Sequence, residues 1–241
     1  MGHHNLFNMV LPAKTFEIRE EISLAEIHER LQGFREEEDW EGEEDVSLIT
    51  EVLDLEMEED SIKGVLARDF VKPRHYKRKM VETPVTEEAP FWVRTYEGRT
   101  FLVVVAPSVA RGVKKLLTNH VANKISEILF GVTGAIVEVR IPDETLVNLH
   151  ESNPRATRLI WFDDVDIPGV NKLCLAGESL ADTGLYQDYK EHGRIWYVVF
   201  GIQKRGITVG VSRNCVVTLF SKSSLDEFIG YVSEDFFSLI E

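Results

Sequence analysis

From residue 47 the period of the sequence switches to two, and five candidate extended stretches run to residue 105 with no helical period between them. That pattern restricts the fold more than any other feature. A strand points successive side chains to opposite faces, so a period of two marks strands. Strands that follow one another without helices pair as antiparallel neighbours, because parallel pairing needs a long crossover. The stretches are 47–57, 62–71, 76–85, 91–96 and 99–105. A polar turn at 58–61 joins the first two, and Glu97-Gly98 suits a hairpin link.

Helical signals flank this meander. Phe16 and Ile18 belong to a half-buried strand over 15–22, after which Ser23 and Glu26 form a capping box. Leu24, Ile27 and Leu31 then follow at helical spacing, and Gly33 closes the helix. A long central helix is expected over 107–130, with Val109, Val113, Leu116, Leu117, Ile125 and Ile128 on its buried stripe.

The remainder reads as a second, mixed α/β half. Strands are expected at 135–141, 158–162 and 173–176, and helices at 143–152 and from Ser179 to Gly193. A three-stranded meander follows at 195–202, 207–212 and 215–220. Ser224 and Glu227 cap a last helix whose apolar side carries Leu225, Phe228, Ile229, Val232, Phe236 and Ile240. The fold class is therefore α+β. Two domains, 1–106 and 107–241, are expected, either separate or packed as one.

The chain is 44% hydrophobic, enough for a sizeable core. Its formal net charge of −14 opposes unaided binding to anionic surfaces, yet the charge is unevenly spread. Residues 36–45 carry eight carboxylates around Trp40 and read as a solvated acidic loop with that indole as its only anchor. Residues 72–79 read Lys-Pro-Arg-His-Tyr-Lys-Arg-Lys. Cations this dense on a strand repel one another unless anions lie close, and phosphate is the natural counter-anion. Lys72, Arg74, Lys77, Arg78 and Lys79 are thus candidate nucleic-acid contacts, with Tyr76 placed to stack a base. Lys204 and Arg205, in a hairpin turn, are candidates to extend the patch, as are Lys114 and Lys115. Two competing readings are a solvated edge strand guarded by lysines and internal pairing with the acidic run.

Asp163, Asp164 and Asp166 follow an apolar strand, the placement that holds Mg²⁺ in phosphoryl chemistry; turns after strands also favour Asp. Glu138, His150 and Glu151 are the candidates to complete such a site, with Lys172 or Arg158 neutralising developing charge. The seven histidines show no zinc spacing, although His120 and Glu127 can share a helix face. Cys174 and Cys215 lack CxxC spacing, lie among apolar residues and are expected to be buried thiols. No Walker sequence, G-x-G-x-x-G or G-x-S-x-G occurs, and no cofactor is expected.

These features favour a non-catalytic binding or accessory subunit of an intracellular complex, placed by default in the cytoplasm. Its expected partners are a protein and, through residues 72–79, nucleic acid, and no membrane. The alternative is a Mg²⁺-dependent enzyme acting on phosphate esters through Asp163, Asp164 and Asp166.

Overall fold

The computed structural model describes residues 10–41, 45–106, 114–152 and 155–241. Contacts divide the chain into two compact units, Lys14–Val137 and a second formed by Met1–Ala13 with Glu138–Glu241.

The Lys14–Val137 unit takes in most of β1 (Leu11–Ile18), then α1 (Leu24–Leu31), β2 (Arg35–Glu41) and β3 (Asp45–Met57). β4 (Ser61–Tyr76), β5 (Lys79–Tyr96), β6 (Arg99–Val105) and α2 (Lys114–Phe130) follow, and β7 (Ile136–Glu138) closes it. Its strand order is β2-β3-β4-β5-β6-β1, with β2 through β6 an antiparallel meander. The α+β class and the meander agree with the periodicity. α1 begins at the expected capping box, where the Glu26 amide donates to Ser23 Oγ at 3.2 Å. Glu97 and Gly98 take φ of 48° and 77°, as a tight hairpin link requires. Phe16, Ile27, Leu31, Ile62, Phe91, Leu102 and Ile125 form the core of this unit. Each such side chain contributes about 1.5–3 kcal/mol by leaving water.

The structure corrects four expectations here. Residues 35–41 form a paired strand rather than the start of an acidic loop. Strand pairing is made by backbone groups, and β2 lies at the edge of the sheet, so its carboxylates can stay in water. Trp40 is 36% exposed and anchors little. The separate strands expected at 76–85 and 91–96 are one 18-residue strand, β5. A long central helix is not seen: the longest described helix, α2, has 17 residues, and the expected start at 107–113 lies outside the described residues.

The second unit contains α3 (Asp143–Glu151), β8 (Thr157–Asp163), β9 (Leu173–Ala176) and α4 (Gly184–His192). β10 (Arg194–Ile202), β11 (Ile207–Ser212), β12 (Val216–Leu219) and α5 (Leu225–Tyr231) complete it. Its strands run β12-β11-β10-β8-β9, all antiparallel. Gly210 is required by close approach, because a Cβ there would stand 2.0 Å from the Tyr197 hydroxyl.

The helix expected from Ser179 begins later. Ser179 sits at φ 51° without capping, and Thr183 Oγ1 caps α4 instead by accepting from the Tyr186 amide at 3.1 Å. The last helix is also interrupted. After α5 come a π turn, Val232–Phe236, and a 3-10 turn, Phe237–Leu239. Ser233 Oγ donates to the Ile229 carbonyl, a local competitor that bends helices. Phe228, Val232, Phe236 and Phe237 are buried all the same. Cys215 is buried as expected, but Cys174 is exposed on the edge strand β9. Among the described residues no helix is long and apolar enough to cross a membrane.

Candidate nucleic-acid interface

β4 and β5 outrun their neighbours. Their ladder is continuous from Ser61↔Arg94 to Tyr76↔Lys79. The pairing of β4 with β3 ends at Arg68↔Thr50, and that of β5 with β6 ends at Phe91↔Val104. Among the described residues, 69–76 and 79–86 therefore pair only with each other. Eight residues of extended chain reach roughly 26 Å, so the segment is a two-stranded ribbon of that length.

The ladder also sorts its side chains. Directly opposed residues share a face, and neighbours along a strand alternate. Lys72, Arg74, Tyr76, Lys79 and Val81 fall on one face by the pairs Arg74↔Val81 and Tyr76↔Lys79. Pro73, His75, Met80 and Glu82 fall on the other. Pro73 and Pro84 occupy ladder positions of the same parity, where a missing amide is tolerated and recruitment of a further strand is blocked. Lys77 and Arg78 form the tip, both with positive φ, 46° and 67°. Asn-Gly is the usual occupant of such a turn, and each ordinary side chain there costs about 1–2 kcal/mol.

Among the described residues, no carboxylate lies within 4.0 Å of the charged groups of Lys72, Arg74, Lys77, Arg78 or Lys79. The acidic strand does not neutralise them: Glu36 pairs with Lys124, and Glu37 with Arg35 at 3.8 Å. Tyr76 is 62% exposed, with Lys77 Nζ 5.3 Å from its ring centre. No protein-family model and no curated protein matches this chain.

The other candidates are placed differently. Lys204 pairs with Asp235, and Arg205 with Asp235 at 2.8 Å and Glu234 at 2.7 Å. Both cations are thus satisfied within the second unit. The side chains of Lys114 and Lys115 lie outside the described set. Asp163 receives two hydrogen bonds from Arg213, at 2.9 and 2.8 Å, and Asp166 meets His192 Nδ1 at 2.8 Å. Asp164 is 3.9 Å from Arg213 with φ 49°. Asp163 and Asp164 thus face the same guanidinium while Asp166 faces His192, and no group of three or more His, Cys, Asp or Glu side chains among the described residues is arranged to hold a metal ion. Of their expected companions, His150 is buried against Tyr186 and Glu151 binds Lys190 at 2.6 Å. Arg158 pairs with Glu178, and Lys172 lies over Trp196.

Sequence reasoning missed what lies at the root of the ribbon. There a cavity of about 640 Å³ opens between α2 and the sheet. Leu66, Phe70, Ala89 and Val121 give it an apolar wall, and Arg68, Glu87, Asn119, His120 and Asn123 its polar groups. Burial pushes the Glu87 carboxyl up, against the pull of Lys72 and Arg68. Burial also pushes the His120 imidazole down, helped by the Arg68 charge. The even-numbered spacing of Leu66, Arg68, Phe70 and Lys72 was visible in the sequence, but the helix that roofs them was not assignable to that face.

Proposed function

We propose that the protein is a non-catalytic binding subunit whose β4–β5 ribbon holds the phosphate backbone of a nucleic acid. One observation carries the reading: five cations stand on a two-stranded ribbon with no carboxylate within 4.0 Å, among the described residues. Cations left in this state gain free energy when they displace the condensed counterions of a polyanion. A two-stranded ribbon is also narrow enough to enter a groove of a duplex or lie along a single strand. Tyr76 adds a ring on the cationic face.

The test is the salt dependence of binding to short DNA and RNA oligomers. The parent protein should bind at low salt and weaken steeply as salt rises. Changing Arg74, Lys77, Arg78 and Lys79 together to Ala should flatten the logarithmic salt slope by about three to four for a duplex. Equal slopes for the two proteins, or no binding by either, would remove the reading.

A further inference from the structure

The cavity at the ribbon root lies on the same sheet face as the cation row. Phe70↔Val85, Arg68↔Glu87 and Leu66↔Ala89 continue the parity of Tyr76↔Lys79, Arg74↔Val81 and Lys72↔Thr83. A chain of phosphates tracking Lys79, Arg74 and Lys72 therefore arrives at the cavity mouth without crossing the ribbon. We propose that this cavity takes one unpaired nucleotide of a single-stranded nucleic acid, its phosphate at Arg68 and its base against Phe70. This inference rests on the ribbon holding nucleic acid.

The chemistry of the cavity matches that division. Among the described residues no carboxylate lies within 4.0 Å of the Arg68 guanidinium, which stands exposed at the mouth. The interior suits a base rather than a phosphate. Lys124 on α2 is already engaged by Glu36 and Glu127. Glu38 and Asp39 border the adjoining space on the β2 side and repel an anion that enters deeply. Glu87, Asn123 and neutral His120 can accept from or donate to the edge of a base, while Leu66 and Val121 complete an apolar wall. The volume of about 640 Å³ is within the usual range for small-ligand sites. A base in a duplex cannot reach such a cavity without leaving its stack, so the geometry selects single strands.

The experiment compares a single-stranded oligomer, its duplex and the same strand made fully abasic, all with the full-length protein. The single strand should bind at least about tenfold tighter than either, the scale of one base–aromatic stack. Phe70→Ala should lower single-strand binding toward the abasic level. Asn123→Trp, at an exposed position that lines the cavity, should do the same by filling it without touching the core. In parallel, adenosine monophosphate should move the His120 ring protons in NMR and raise the pH at which they titrate. Equal binding of all three oligomers, still lost when Arg74, Lys77, Arg78 and Lys79 become Ala, overturns the cavity proposal and leaves the ribbon reading intact. No binding of any oligomer overturns both.

Discussion

At the β10–β11 tip, Lys204 and Arg205 meet Asp235 and Glu234; at the β4–β5 tip, Lys77, Arg78 and Lys79 meet no carboxylate within 4.0 Å among the described residues. The two tips have similar side chains and a similar place in a hairpin. What separates them is a third segment. The π turn after α5 carries Glu234 and Asp235 to the first tip. The second stands at the end of a ribbon with no strand beside it among the described residues. The backbones differ accordingly. The first tip is a 3-10 turn closed by Gly206 at φ 64°, a conformation glycine adopts freely. The second forces Lys77 and Arg78 into that region, a cost set against keeping two cations at the extremity.

The strongest way to break this contrast is Asp235→Ala. Arg205 loses one of its two partners, and its side chain is only 23% exposed. Stability in urea should fall by about 2–3 kcal/mol, the scale of a charged hydrogen-bonded pair. An unchanged midpoint would mean the pairing adds nothing. The same pair has a pH signature. Burial pushes the Asp235 carboxyl up, but hydrogen bonds from Lys204 and Arg205 outweigh it, and the net shift is down. A carboxyl depressed on folding stabilises above its ordinary value of 3.8, and that contribution is lost as pH falls through the folded value. The stability gap between parent and Asp235→Asn should therefore be full at pH 6 and close in strong acid.

The double change Lys77→Asn with Arg78→Gly sharpens the contrast from the other side. It should raise stability by about 1–2 kcal/mol by relieving the positive-φ turn. It should also reduce the duplex salt slope by about two. Greater stability with unchanged oligomer binding would show that the tip cations serve no ligand. The smallest effect is expected from Lys204→Ala. Its side chain is 67% exposed, so thermal unfolding should report a loss below about 1 kcal/mol. Oligomer binding should not change, and a large drop would return this lysine to the interface.

The contrast also shows what the sequence could and could not reveal. Local chemistry was legible. Ser23 with Glu26 and Ser224 with Glu227 form the capping boxes their spacing announces, and Glu97-Gly98 turns as expected. Each is decided by groups a few residues apart. β2 was illegible because its side chains argue for water, while its backbone is held by β3. The Ser179 cap failed because Thr183 competes four residues later with better geometry. At the candidate site, the density of cations in 72–79 was plain to read. That no carboxylate among the described residues lies within 4.0 Å of them was not, nor was the match of Arg205 with Glu234 and Asp235, which lie 29 and 30 positions away. The cavity needed both β4 and α2, about fifty residues apart in the chain.

One connection in the fold has a practical meaning. β1 and β7 are paired, and the Arg19 amide donates to the Ala135 carbonyl at 3.1 Å, so the segment from Lys14 to Val137 starts and finishes on adjacent strands. A segment with neighbouring ends behaves as a cassette. Neighbouring ends are the geometry that a graft into a host loop, or a permutation with new ends opened at the Glu97-Gly98 turn, would need. The ribbon and the space at its root travel together in every such rearrangement.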